Sequence, residues 1–183
     1  MGKRSNFDRI DKDCYDTWDK RAVAALLPFL KVGTKFCEPC AGRGALLDQL
    51  VAAGMVCVSA WDIEPRAAGI HRANCLEFRS KTAEIYITNP PWKRPRQGGD
   101  LHHIIEHLSN HRPTWILLDA NWMFTEQAST LMHRCRKIVA VGKLRWIPGT
   151  KHDSTEPCAW YLFDITSRGS PKFYARGHHP NVV

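Results

Sequence analysis

Between residues 87 and 99 the chain reads ITNPPWKRPRQGG, which places an amide, a rigid backbone corner, an aromatic ring and a basic run side by side. Asn89 carries a side-chain oxygen that accepts hydrogen bonds. Pro90 and Pro91 restrict the backbone, so the Pro90 carbonyl has a fixed direction. Trp92 adds a flat apolar face. Together these groups suit a planar amine such as the exocyclic nitrogen of adenine or cytosine. The lone pair of that nitrogen is delocalised into the ring, and acceptors on its N–H groups help it become tetrahedral as it attacks. Such a task is mainly alignment and electrostatic stabilisation. A base inside a duplex cannot reach such a corner, so the target must be flipped out or single-stranded. Lys93, Arg94 and Arg96 then stand where phosphates pass, and Gly98 and Gly99 make the segment a candidate flap. The competing reading of the four residues is a rigid turn at a strand end.

A second constellation lies upstream in EPCAGRG. Gly42 and Gly44 let the backbone turn tightly and approach a ligand where a Cβ would intrude. A dinucleotide fingerprint would need a third glycine at the position of Leu47. Glu38, just before the loop, would repel a phosphate and suits a cationic ligand. Asp62 closes the next apolar stretch, where a carboxylate can accept both ribose hydroxyls. An adenosine carrying positive charge fits both acids, which points to S-adenosylmethionine.

The intervening segments must position these residues. TWDKRAVAALLPFLKVG puts Ala22, Val23, Leu26, Leu27 and Leu30 on one helical face, ending at Gly33. TKFCEP reads as a strand, RGALLDQLVAAG as a helix, MVCVSAWDI and EIYITNPP as strands, and DLHHIIEHLSNH as a helix. TWILLDANW is a further strand and TEQASTLMHRCR a helix, while KIVAVGKLRWIPG and AWYLFDIT are strands joined only by a loop. Strands separated by helices predict a doubly wound, mostly parallel α/β sheet. The final pair predicts an antiparallel hairpin at one edge. Glu38 to Gly44, Asp62 to Pro65 and Asn89 to Trp92 then fall at strand carboxyl ends, where such sheets bind ligands.

EPCAGRG, WDIEP and TNPPW, in that order, resemble the class I methyltransferases, and specifically the amino-methyltransferases acting on adenine N6. The likeness runs from residue 13 to about 165 and is strongest to small phage-type DNA adenine methyltransferases, including KLRWIPGTKHDSTEPCAWYLF. It implies a seven-stranded Rossmann-like sheet with an antiparallel last strand, S-adenosylmethionine as cofactor with S-adenosylhomocysteine as product, and N6-methyladenine in DNA. It also implies roles. Asn89, Pro90, Pro91 and Trp92 become the catalytic set. Tyr15, Thr17 and Trp18 hold the methionine end of the cofactor, Glu38, Pro39, Cys40, Ala41, Gly42 and Gly44 form its loop, and Asp62 and Ile63 lie at the ribose. ANCLEF borders the adenine through Asn74 and Cys75, with Asn74 where the family usually carries Asp. Related tetrapeptides also serve enzymes that methylate RNA bases or a protein glutamine.

Composition narrows the partners. A formal charge of +8 and a pI near 9.3 favour a polyanion. Lys143, Arg145, Lys151 and His152 cluster in GKLRWIPGTKHD and join the 93–100 segment as expected nucleic-acid contacts. The length of 183 residues suits one domain, with residues 1–12 as a flexible arm and 167–183 as a flexible tail. No room is left for a separate recognition domain, so a short or relaxed target sequence is expected. No apolar stretch can span a bilayer and no secretory signal is visible, so a cytoplasmic location is expected, that of a bacterial host if the chain is phage-encoded. Seven cysteines agree with a reducing compartment. Cys37 and Cys40 have CxxC spacing, yet no second pair completes a zinc set, and no metal is expected. His178 and His179 read as part of the tail. A catalytically silent nucleic-acid-binding protein is the non-enzymatic alternative.

Overall fold

The computed structural model describes residues 15–93 and 98–177. The chain begins with helix α1 (Lys20–Leu26), whose first turn is capped by the Asp19 carboxylate accepting from the Arg21 N–H at 3.0 Å. Pro28 cannot donate within a longer helix, so a short 3-10 turn (Leu27–Phe29) replaces the expected continuation to Gly33. Strand β1 (Lys35–Glu38), helix α2 (Ala45–Ala52), β2 (Val56–Asp62), β3 (His71–Arg72) and β4 (Ile85–Thr88) follow. Then come α3 (Leu101–His111), β5 (Thr114–Asp119), α4 (Glu126–Met132), β6 (Cys135–Lys143), β7 (Pro157–Phe163) and β8 (Lys172–Tyr174).

The strands form one eight-stranded sheet in the order β3-β2-β1-β4-β5-β7-β6-β8. Strands β1 to β5 pair in parallel, and β7 runs antiparallel to both β5 and β6. Period-two alternation splits the core into two layers. Trp115, Leu117, Val139 and Trp160 pack with Leu26 of α1 and Leu46 and Leu50 of α2. Ile116, Leu118, Ile138 and Tyr161 turn the other way, onto Leu101 and Ile105 of α3 and Leu131 of α4. Because β5 is covered on both faces, its sequence is an unbroken apolar run with Thr114 to Leu118 all buried. Trp160 also ties α1 to the sheet, its indole N–H donating to the Ala22 carbonyl at 2.8 Å.

Three details differ from the sequence expectation. The β6–β7 hairpin is antiparallel, but β7 inserts between β5 and β6 and is no edge strand. Residues Ala120–Phe124 leave β5 as a 3-10 turn, with the Asp119 carboxylate accepting from the Asn121 N–H at 2.8 Å, so ANW does not extend the strand. Within the expected tail, Lys172–Tyr174 pair in parallel with β6 and add a strand to the seven anticipated. Arg136 fixes the preceding bend through the Ser167 carbonyl at 2.6 Å and 2.9 Å.

Candidate active site

Strand order reverses between β1 and β4, and the loops after β1, β2 and β4 open there into a cavity of about 440 Å³. Pro39, Cys40, Ala41 and Gly42 form one wall, Asp62 and Ile63 a second, Asn74 and Cys75 a third, and Tyr15, Thr17 and Asn89 the end nearest β4. Thirteen positions were expected around a cofactor, and two of them do not line this cavity. Trp18 is 44% exposed and stands outside it. Gly44 acts one step back: its φ of +82° turns the chain into α2 as the N-cap residue.

Glu38 is 2% exposed and its Oε2 has no hydrogen-bond partner. Burial, reinforced by the nearby negative charge of Asp62, pushes its carboxyl well above the usual range. A buried orphan acceptor that borders a cavity calls for a donor or a cation from the cavity side. Asp62 is held from behind: Oδ2 accepts the Gly42 N–H at 2.7 Å and Oδ1 the Glu64 N–H at 2.8 Å. Each oxygen keeps a further lone pair for a hydroxyl. Asn74 is more committed than expected, since Oδ1 accepts the Leu76 N–H at 3.0 Å and Nδ2 donates to Glu77 at 3.3 Å. The cysteines are walls. The neighbouring Cys75 thiol together with burial drives the Cys40 thiol well up, and burial pushes Cys37 to about 12. A redox CxxC needs the opposite, a stabilised thiolate.

An ion pair across the cavity rim has no local signature in the sequence. Asp16 Oδ1 accepts from the Arg66 guanidinium at 2.9 Å and from the Arg43 N–H at 3.1 Å. Gly42 lies directly beneath, at φ +53°, where an added Cβ would come within 2.6 Å of both Arg66 and Asp16. We predict that Gly42→Ala parts this pair and weakens cofactor affinity by about tenfold or more, because both the left-handed backbone and the contact oppose a methyl group. A calorimetric titration with cofactor checks it, and unchanged affinity would show that the rim has no part in binding.

A second, smaller cavity of about 130 Å³ is lined by Tyr15, Asn89, Pro90, Trp92 and Trp146. Tyr15 and Asn89 line both cavities, so they stand at the junction. Pro91 and Lys93 face the larger cavity. Trp92 is expected to offer a stacking face. Its indole N–H is anchored between Asn89 Oδ1 and the Leu117 carbonyl, each at 3.0 Å, which fixes the plane of the ring. Its ring meets Trp146 edge-on, with centroids 5.4 Å apart and planes at 87°. Trp146, which sequence reasoning passed over inside a basic stretch, is thus the second aromatic wall.

Trp146 sits on the loop between β6 and β7, which is clipped to α1. The Asp19 carboxylate accepts the Arg145 N–H at 2.9 Å, while Asp153 takes Arg21 at 2.9 Å and Arg145 Nε at 3.0 Å. Those two guanidinium groups hold the Asp153 carboxyl down at about 2. Arg145, expected at phosphate, is therefore half of an ion pair. Lys151 and His152 are exposed on the same loop, and Lys143 is exposed at the end of β6. Arg94, Arg96, residues 1–12, His178 and His179 lie outside the described residues.

No protein-family model matches the chain, and no curated protein matches it in sequence. Solved structures do match in fold. A candidate class I S-adenosylmethionine-dependent methyltransferase from Listeria monocytogenes shares 10% identity, covering 96% of this chain and 69% of that one with a TM-score of 0.56. A candidate RNA methyltransferase from Pyrococcus horikoshii shares 15%, covering 79% and 80% with a TM-score of 0.54. The modification subunit of a candidate type I restriction enzyme from Vibrio vulnificus shares 12%, covering 92% of this chain but 49% of that one, with a TM-score of 0.53. At such identities the likeness is one of fold. Sheet order and neighbours together define the class I methyltransferase fold, here with an added edge strand.

Proposed function

We propose that this protein transfers a methyl group from S-adenosylmethionine to the exocyclic N6 amine of adenine in DNA. The observation that carries the reading is the place of Asn89, whose amide lies where a nucleoside-sized cavity meets a smaller aromatic one. The larger cavity fits the cofactor chemically. Glu38 supplies an unpartnered carboxyl oxygen for its cationic end, Asp62 two acceptors for the ribose, and Asn74 and Cys75 a border for the nucleobase.

When bound, S-adenosylmethionine supplies an activated methyl group on a sulfonium that leaves as a neutral thioether. Asn89 Oδ1 and the Pro90 carbonyl accept the two N–H bonds of the incoming amine, so its lone pair points along the junction toward the larger cavity. Tyr15, Trp92 and Trp146 enclose the ring of the base and exclude water. The amine becomes acidic as it gains the methyl group, so no strong base is needed, and the proton is released to solvent as the methylated base leaves the site. The work of the protein is alignment. Lys93 beside the larger cavity, Lys143 at the end of β6, Lys151 and His152 on the β6–β7 loop, and Arg94 and Arg96, which follow Lys93 in the sequence, are the residues we assign to the phosphate backbone, with a short or relaxed target sequence.

The test is transfer of labelled methyl to duplex DNA, single-stranded DNA and RNA in parallel. Label in DNA is expected. Label in RNA alone would move the same chemistry to RNA, in line with the Pyrococcus neighbour. Cofactor binding with no label in any polymer would contradict nucleic acid as the substrate.

A further inference from the structure

Thr17 lines the larger cavity and is 3% exposed, which by itself makes it one more wall of a cofactor site. Its hydroxyl oxygen, however, accepts a hydrogen bond from Asn89 Nδ2 at 3.1 Å. The Tyr15 carbonyl accepts from the same nitrogen at 3.1 Å. On the other side of the amide, the Trp92 indole N–H donates to Oδ1 at 3.0 Å. A backbone carbonyl only accepts and an indole N–H only donates, so the orientation of the Asn89 amide is determined by its surroundings. Both Nδ2 hydrogens are engaged. Oδ1 has two lone pairs, Trp92 occupies one, and the other is left for a substrate N–H.

We infer that Thr17 is a positioning residue that acts through Asn89, holding the amide so that its oxygen and not its nitrogen meets the target amine. In the flipped orientation Nδ2 would confront the N–H groups of the amine, donor against donor, and the oxygen would face the Tyr15 carbonyl. The backbone that carries this hydroxyl is itself well held. The Thr17 carbonyl accepts from Gln49 Nε2 of α2 at 2.6 Å, and Asp16 beside it binds Arg43 and Arg66. Residues 15–17 thus run as a strap from the cofactor loop to the Asn89 amide. The inference rests on Asn89 being the acceptor for the amine.

The test compares Thr17→Val, which keeps the shape and removes the hydroxyl, with Thr17→Ser, which keeps the hydroxyl. For Thr17→Val the expected result is a kcat about tenfold lower, from loosened alignment, with cofactor Kd and nucleic-acid KM within about twofold of wild type. Thr17→Ser should return kcat to within about twofold. Nuclear magnetic resonance of the Asn89 side-chain NH2 group supplies a readout without turnover: one of its protons should exchange faster with solvent in the valine variant alone. Unchanged kcat in Thr17→Val, or a raised cofactor Kd at constant kcat, would make Thr17 merely part of the cofactor wall and overturn the inference. Those results would leave the methylation reading standing provided Asn89→Ala abolishes turnover. If Asn89→Ala also turns over normally, both fall.

Discussion

Asn89→Ala is expected to lower kcat by about 10³-fold while leaving cofactor affinity within about twofold. Removing a single preorganised polar group that meets developing charge costs on the order of 10² to 10³ in rate. Here the loss lies toward the upper end, because the same amide also receives the Trp92 indole N–H at 3.0 Å and donates to Tyr15 and Thr17. Truncation therefore leaves the Trp92 N–H with the Leu117 carbonyl alone, takes the shared donor from the Tyr15 carbonyl and the Thr17 hydroxyl, and loosens an aromatic wall along with the acceptor. Cofactor affinity changes little because Glu38, Asp62 and the Gly42 loop are untouched. Single-turnover kinetics with equilibrium dialysis separate the two quantities, and a purely raised cofactor Kd would refute the assignment.

Glu38→Gln is expected to raise the Kd for S-adenosylmethionine by about 30-fold, in the range of a hydrogen bond to a charged group. The pH dependence gives a sharper check. Burial holds the Glu38 carboxyl in its protonated form above the ordinary value of 4.5. A cation in the cavity favours the ionised form, so wild-type affinity should rise as pH increases through the raised value, and the glutamine variant should lose that slope. Stability of the free protein moves the other way. The native state binds this proton more tightly than the unfolded chain, so its contribution is complete below about 4.5 and declines as pH rises through the elevated native value. Denaturant unfolding across that range should show the decline in wild type and its reduction in Glu38→Gln. A flat affinity profile in wild type would indicate that Glu38 does not face the cofactor charge.

How much of this could be read in advance follows from the range of each interaction. Glu38, Asp62 and Asn89 were legible because each sits at the carboxyl end of an apolar run, a local pattern that tertiary structure then gathers at one edge of the sheet. The Asp16–Arg66 pair was not, because the two residues are 50 positions apart and neither has a periodic neighbour to mark it. Trp146 was hidden for a related reason: it lies among Lys143, Arg145 and Lys151, and long-range contacts of its loop with Asp19 and Arg21 bring its ring to Trp92. Thr17 was legible only in part. The resemblance assigns it to the cofactor and it lines the larger cavity, but its hydroxyl also reaches a side chain 72 residues away, which no local pattern marks. The hairpin was recognised toward one end of the sheet, but the order of its two strands was not. An antiparallel pair has the same local signature at an edge or within a sheet, and the buried run Cys158–Ala159–Trp160–Tyr161 was the sign that β7 has neighbours on both sides.

The measurement that bears most directly on the central claim is nucleoside mass spectrometry of duplex DNA treated with the purified protein and S-adenosylmethionine carrying a deuterated methyl group. The account predicts trideuterated N6-methyladenine, absent when Asn89→Ala replaces the wild-type protein. Label on a ring carbon or a sugar oxygen, or N6-methyladenine formed equally by Asn89→Ala, would contradict it.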